Sequence, residues 1–267
     1  MPSDFFDKIL EHKRGLVKGK KAFYAALKKK FDKESLTRYQ FFKKVISAPG
    51  QINLIAEVKK ASPSKGLLYR NFDPVALAKI YAANGAAALS VLSEDKFFYG
   101  SPSDIKKVSE KINLPILMKD FIIDEGQIYE AFVVGASAVL LITAILKEDK
   151  LKKFTQTASK LALDCLVEVH DESEVDTALR AGAEMIGINN RNLKTFEVDL
   201  GVSERLIKKI PQDKVIVVES GIKSYQEVQN FKRLGAHAVL IGETFLRAPD
   251  VGEKVKEIMG INNRKEL

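Results

Sequence analysis

The 267-residue sequence has a single cysteine, Cys165. One cysteine excludes an internal disulfide and a cysteine-based zinc site. Long apolar runs are also missing. The stretch at 137–146 is among the longest, well short of the roughly 20 residues that a membrane helix needs. Residues 1–10 mix acidic with apolar side chains, whereas a signal peptide opens basic and continues apolar. Histidine is scarce: His12, His170 and His237 are scattered without metal-ligand spacing. Neither a metal nor a membrane is expected, and the setting is expected to be cytoplasmic. Cys165 opens an apolar run with no partner residue in view, so it reads as core rather than nucleophile.

Apolar residues make up 46% and charged residues 29%, enough apolar surface for a large core. The formal net charge is +8, and runs such as 18–21 and 28–30 concentrate lysine in the first 50 residues. A basic patch can mark a nucleic-acid surface. It can equally be a solvated lysine-rich helix face, or help attract an anionic substrate. No nucleic-acid partner is expected.

From residue 53 onward, short apolar runs alternate with amphipathic segments. Strands are predicted at 53–59, 87–92, 115–119, 138–142, 165–169, 185–189, 215–219 and 238–241. Helical periodicity lies between most of them, for example at 74–83, 125–134, 147–162 and 224–234. A Gly-Ala pair recurs at Gly85, Gly135, Gly182 and Gly235, about 50 residues apart. Each follows a helical pattern and precedes a strand, where a left-handed terminator is wanted. These are internal repeats of a strand–helix unit. Eight such units predict a single (β/α)8 barrel, the length being normal for that fold. An open doubly wound sheet is the runner-up, but no glycine-rich dinucleotide fingerprint follows the first strand. The barrel is expected over 51–267, in one domain with a helical extension over 1–50. Helices are predicted at 4–30 and 35–46, with Tyr39, Phe41 and Phe42 apolar enough to dock.

The strand interiors are Val, Ile, Leu and Ala. Their C-terminal ends carry Glu57 with Lys59, Lys119, Glu168, Asn189 with Arg191, and Glu219. Side chains alternate along a strand, so Glu57 and Lys59 share a face. Unpaired charges in a dry interior cost several kcal/mol. In this fold the active site lies at the C-terminal mouth, so function explains these charges better than stability. A structural ion pair across the mouth, such as Glu57 with Lys119, is the alternative for any one of them. Clustered carboxylates raise one another's pKa, so one is expected to hold a proton near neutral pH. For Lys119, cations at Lys59 and Arg191 oppose Glu57 and Glu168, which leaves the sign of its shift open; losing its charge should relieve repulsion. His170 has the spacing to face the mouth with Glu168 but reads as a loop histidine. After the last two strands, Ser220-Gly221 and Gly242-Glu243 suit a phosphate held by backbone N–H groups.

These residues form recognisable blocks. Ile55-Ala56-Glu57-Val58-Lys59-Lys60-Ala61-Ser62-Pro63-Ser64 resembles the first-strand signature of the indole-3-glycerol phosphate synthases. The stretch from Leu89 through Ser93-Glu94-Asp95-Lys96-Phe97-Phe98 to Gly100-Ser101 resembles their second strand and loop. Pro115-Ile116-Leu117-Met118-Lys119-Asp120-Phe121 resembles the third. Leu166-Val167-Glu168-Val169-His170, Gly187-Ile188-Asn189-Asn190-Arg191-Asn192-Leu193 and Glu219-Ser220-Gly221-Ile222 follow in order, over roughly residues 50–250. Ser93 stands where the family usually has threonine, a change expected to be tolerated. The extension matches only loosely, through a helix that in relatives partly covers the site. Phosphoribosyl-anthranilate isomerase barrels also bind phosphate after their last strands, but the ordered Glu-x-Lys, Lys119 and Glu168 favour the synthases.

The resemblance implies a cofactor-free and metal-free lyase of tryptophan biosynthesis. It converts a carboxyphenylamino-deoxyribulose phosphate to indole-3-glycerol phosphate, carbon dioxide and water. By the same resemblance Lys119 is the acid for ring closure and Glu168 an acid or base in dehydration. Lys59 engages an anionic group of the substrate and shares acid duty. Glu57 and Asn189 hold the amine and hydroxyls, Arg191 orients the array, and Glu219 contacts a hydroxyl. Ser62, Ser220, Gly221, Gly242 and Glu243 cradle phosphate, and Phe98 and Phe121 form a slot for the aromatic ring. A monomer or homodimer is expected.

Overall fold

The computed structural model describes residues 3–31, 42–63, 66–69 and 72–261. Among them, eight parallel strands close into a barrel: β1 (Asn53–Val58), β2 (Ala88–Leu92), β3 (Ile116–Lys119), β4 (Ala138–Ile142), β5 (Asp164–Val169), β6 (Met185–Asn189), β7 (Val215–Glu219) and β8 (Ala238–Ile241). Pairing of Ile55 with Leu240 on one side and with Ala88 on the other seals β1 between β8 and β2. An open sheet is thereby excluded. Boundaries differ from the sequence reading by a residue at some ends. Lys59 falls beyond β1 because the chain turns there into a short hairpin pairing Ala61–Ser62 with Gly66–Leu67. The four repeat glycines all have positive φ, from 84° to 104°, as a helix-to-strand terminator requires.

Alternation along the strands divides the core into two layers. Ile55, Leu117, Leu166 and Val217 fill the barrel interior. Their neighbours Leu54, Met118, Val167 and Val218 face the surrounding helices. The interior face of each strand continues upward, so Glu57, Lys119, Glu168, Asn189 and Glu219 emerge together at the mouth.

The N-terminal extension touches the barrel at three levels. The helix expected at 4–30 is divided near Gly19 into α1 (Ser3–Gly19) and α2 (Lys21–Phe31). Lys13 of α1 reaches a buried ion pair with Asp120, 2.7 Å away. On α2, Tyr24 donates to Glu130 at 2.9 Å and packs over Gly126, where a Cβ would meet the ring at 2.2 Å. The lysines of the extension are therefore not only a solvated face, since Lys20 and Lys28 also pair with Glu130 and Glu125. From the helix expected at 35–46, only α3 (Phe42–Ile46) is described; Tyr39 and Phe41 lie outside the described residues. Phe42 and Ile46 are fully buried and close the floor of the barrel against Ile55, Leu117 and Val215. Asn53 fixes α3 by donating to the carbonyls of Ile46 and Ala48 at 2.9 and 3.1 Å. Ile46→Val removes one methyl from this plug. It is expected to cost about 1 kcal/mol and lower Tm by roughly 2 °C. A thermal melt indistinguishable from wild type would show that α3 does not seal the floor.

The remaining helices cover the outside: α4 (Pro74–Ala83), α5 (Pro102–Ser109), α6 (Glu125–Val133), α7 (Glu148–Lys160), α8 (Glu172–Arg180), α9 (Gly201–Leu206), α10 (Tyr225–Leu234), α11 (Glu243–Leu246) and α12 (Val251–Met259). Among the described residues no helix is long and apolar enough to cross a membrane.

Candidate active site

One pocket opens at the mouth. All seven predicted polar and charged strand-end residues line it, together with Ser62, Phe98, Phe121, Ser220, Gly221, Gly242 and Glu243. The resemblance points to an N-terminal helix over the site but names none of its residues. Phe5, Phe6 and Ile9 also line the pocket. Phe6 stands 6.1 Å from Phe121, and Phe121 stands 6.3 Å from Phe98, ring centre to ring centre. Phe5 meets Phe97 and Phe196 edge-on at 4.8 and 5.5 Å. Ser64 of the first-strand block lies outside the described residues.

Lys119 occupies the centre. Its Nζ lies 2.8 Å from Glu168 Oε2 and 2.6 Å from Glu219 Oε2, and the two carboxylate side chains are only 3% and 2% exposed. Glu57 pairs instead with Lys59, at 2.9 Å. The suggested Glu57–Lys119 pair is thus corrected: Lys119 on β3 points across the barrel to β5 and β7. Burial works against the Lys119 ammonium, but Glu168 and Glu219 outweigh it and hold the group above the ordinary lysine range. The expectation of relief on losing this charge is also wrong, because its neighbours are anions.

One cation cannot neutralise two buried carboxylates. Burial raises Glu168, but Lys119 and His170 outweigh it and keep the carboxyl below its usual range. Burial pushes Glu219 up to about 7; Lys119 pulls it down and Glu168 pushes it up again. Of the two, Glu219 is the carboxyl that binds a proton more readily. Among the described residues its Oε1 is buried without a hydrogen-bond partner, as are Ser62 Oγ in the same pocket and His170 Nε2 beside Glu168. Gly187 makes room for it: a Cβ there would lie 2.3 Å from Glu219 Oε1.

His170 lies in the bend after β5, as the loop reading expected, and does not line the pocket, but it stands between two carboxylates. Its Nε2 is 3.4 Å from Glu168 Oε1 and its Nδ1 is 3.0 Å from Glu174 Oε2. Burial favours the neutral ring, but these two carboxylates raise it to about 10. A pKa raised from 6.5 contributes stability that is complete below pH 6.5 and lost as pH rises through about 10. The Tm difference between wild type and His170→Gln is therefore expected to be largest near pH 6 and to shrink towards pH 10. Melts in which the gap stays constant over that range would refute the charged ring.

At the far side of the mouth, Arg191 lies 3.3 Å from Glu243 Oε2 and donates to the Phe196 carbonyl at 3.2 Å. Its own N–H donates to Asn189 Oδ1 at 3.0 Å. Ser220 and Gly221 have φ of 68° and 87°. A Cβ on Gly221 would meet Val198 at 2.3 Å, and one on Gly242 would meet Glu57 Cβ at 2.7 Å. Backbone approaches the pocket at both places because there is no side chain. Thr244 Oγ1 donates to the Ile222 carbonyl at 2.7 Å and ties the two loops together.

The other candidates fall elsewhere. Burial pushes the Cys165 thiol up to about 12, which suppresses the thiolate a nucleophile needs. His12 is brought to Asp95 at 2.9 Å, with Glu94 alongside, a grouping that sequence spacing does not show. The Glu94 carboxylate already accepts from the N–H groups of Lys96, Phe97 and Phe98.

Residues 6–264 match the family model for indole-3-glycerol phosphate synthase. An indole-3-glycerol phosphate synthase from Acetivibrio thermocellus is 52% identical over 212 residues, covering 79% of this chain and 82% of that protein. One from Endomicrobium trichonymphae is 51% identical over 217 residues, 81% of this chain and 84% of the other. One from Chlorobium luteolum is 47% identical over 240 residues, 90% and 92% respectively. Among solved structures, a thiamine phosphate pyrophosphorylase from Pyrococcus furiosus superposes with a TM-score of 0.59. It is 15% identical and covers 78% of this chain and 94% of that one, a likeness of fold alone. The barrel, the charged mouth and a family match spanning almost every described residue agree: the chain belongs to the indole-3-glycerol phosphate synthase family.

Proposed function

We propose that this mouth closes and dehydrates 1-(2-carboxyphenylamino)-1-deoxyribulose 5-phosphate, with Lys119 as the acid of ring closure. The observation that carries this reading is Lys119 itself, an ammonium held between two buried carboxylates beside an aromatic wall. The substrate carries about three negative charges near neutral pH, up to two of them on phosphate. The mouth cations Lys59, Lys119 and Arg191 face that load, and the +8 net charge of the chain favours its approach.

Lys119 donates to the ketone oxygen, which makes the ketone carbon electrophilic. The carboxylate-bearing carbon of the benzene ring attacks it, and the carboxylate leaves as carbon dioxide. Phe6, Phe98 and Phe121 hold the ring in place for this step. Once Lys119 has given up its proton, Glu168 loses the cation that kept its pKa low. It becomes a stronger base at the stage where a proton must be removed for water to leave. Glu219, whose carboxyl is held above the ordinary range by burial, offers Oε1 to a substrate hydroxyl. Lys59 binds an anionic group and shares acid duty, giving the departing hydroxyl the proton with which it leaves as water; Glu57 and Asn189 take the amine and hydroxyls.

The phosphate is held by the N–H groups at Ser220-Gly221 and Gly242-Glu243, with Ser62 opposite. Glu243 contributes through its backbone, since its side chain faces Arg191 and Arg247. Residues 1–267 act as one domain in this reading, with α1 completing the mouth and α3 the floor. A cytoplasmic setting suits the single cysteine, and a monomer or homodimer suffices because no partner residue is needed.

The test is turnover of this substrate by the purified protein. The chain has no tryptophan, so product indole is read against little protein fluorescence. Indole and carbon dioxide in equal amounts are expected. Consumption of substrate without either product would defeat the reading.

A further inference from the structure

One titratable side chain beside the reacting groups has no part in the steps above. His170 directly follows β5, two residues beyond Glu168, so strand alternation turns both to the same side. The two oxygens of Glu168 face different cations, with a hydrogen bond on the Lys119 side only. Oε2 is 2.8 Å from Lys119 Nζ, and Oε1 is 3.4 Å from His170 Nε2. The ring is braced from behind by Glu174 in the first turn of α8, whose N-cap is Asp171. Glu174 Oε2 lies 3.0 Å from His170 Nδ1 and accepts from the His170 backbone N–H at 2.7 Å. Thr143 Oγ1 stands 2.8 Å from the same oxygen and 2.7 Å from the Glu168 carbonyl, and its one proton serves either.

We infer that His170 is a positioning residue for the reaction proposed above. Braced by Glu174, its ring stands as an ion-pair partner 3.4 Å from Glu168 Oε1, without a hydrogen bond, leaves Oε2 to Lys119 and keeps Glu168 ionised, so that Glu168 rather than Glu219 is available as the base.

The distances to Lys119 cannot make that choice. Glu219 is 2.6 Å away and Glu168 2.8 Å, with side chains 2% and 3% exposed. Lys119 therefore treats the two carboxylates nearly alike. The charges facing Glu168 are Lys119 from β3, His170 at the end of β5 and Glu219 from β7, with Glu57 of β1 acting on Glu219. Those facing His170 are Glu168 and Glu174, with Asp171 nearby. Within this set His170 is the cation that distinguishes one carboxylate from the other. An opposite charge within about 4–6 Å shifts a carboxyl by roughly 1–3 pH units, enough to decide which of two similar groups ionises.

The test is the pH profile of kcat/KM for indole formation by wild type, His170→Gln and Glu174→Gln, with thermal melts alongside. His170→Gln is expected to move the acidic limb upward by at least about one pH unit and to recover most of the wild-type rate on its alkaline side. Glu174→Gln keeps the ring but removes its brace, and should move the limb the same way by less. A rate lowered equally at every pH, with the limb in place, is the signature of a merely structural histidine and overturns the inference. If His170→Gln does not fold, Glu174→Gln decides: a displaced limb supports the inference and an unmoved one overturns it. NMR titration of the carboxyl carbons in 13C-glutamate-labelled protein reads the same displacement of Glu168 without turnover. Failure of the reaction and failure of the positioning are thereby separable.

Discussion

Lys119→Met is expected to lower kcat by at least about 100-fold, the lower end of what a placed general acid contributes. Methionine keeps the unbranched stem and removes the proton. Lys119 remains an ammonium throughout the neutral range because Glu168 and Glu219 hold it at 2.8 and 2.6 Å. Wild type is therefore never short of the donor form. The variant also leaves two buried carboxylates facing each other without their shared cation. Breaking a buried pair in this way costs about 3 kcal/mol at pH 8. The carboxyls relieve the cost by binding protons, so the deficit in Tm should shrink as pH falls towards 5. Their folded pKa values then lie above the unfolded ones, and such groups lose stability as pH rises. A folded Lys119→Met enzyme with near-normal kcat would transfer the acid role to Lys59, which reaches the same pocket beside Glu57.

Glu168→Gln is expected to slow indole formation by at least about 100-fold through loss of the base. The substitution is nearly isosteric, and its stability cost should be smaller than that of Lys119→Met. Lys119 keeps Glu219 as its counter-ion, and with Glu168 neutral Glu219 no longer feels an adjacent anion. Its pKa should therefore fall below about 7. The base also acts after the acid. Lys119 still closes the ring in this variant, and only the proton removal that expels water is impaired. Steady-state fluorescence gives the overall fall, and a variant with wild-type indole formation would remove Glu168 from the mechanism.

Much of the barrel was legible because strand period and strand ends carry separate information. In β7 the sequence Val215-Ile216-Val217-Val218-Glu219 shows an apolar run with a charge where it stops. Alternation alone puts Val215, Val217 and Glu219 on one face, which is the interior face of the structure. The recurring glycines were legible for a local reason, their positive φ. Ion-pair partners were not, because they depend on which strands face each other across the barrel. Glu57 and Lys119 look complementary in sequence, yet Lys119 reaches residues 49 and 100 positions away. The resemblance suggested a helix over the site, but the contacts of α1 were hidden for a similar reason. Lys13 and Asp120 are separated by 107 residues, and the extension shares no repeat with the barrel. His170 and Glu174 have helical i,i+4 spacing, but only the ring's approach to Glu168 gives that spacing a meaning.

The most direct measurement follows both products of a single turnover in Glu168→Gln, carbon dioxide by rapid quench and indole by fluorescence. Carbon dioxide is expected to appear in full, with indole delayed by at least about 100-fold relative to wild type. Loss of both products together, or prompt appearance of both, would contradict a division in which Lys119 closes the ring and Glu168 completes the indole.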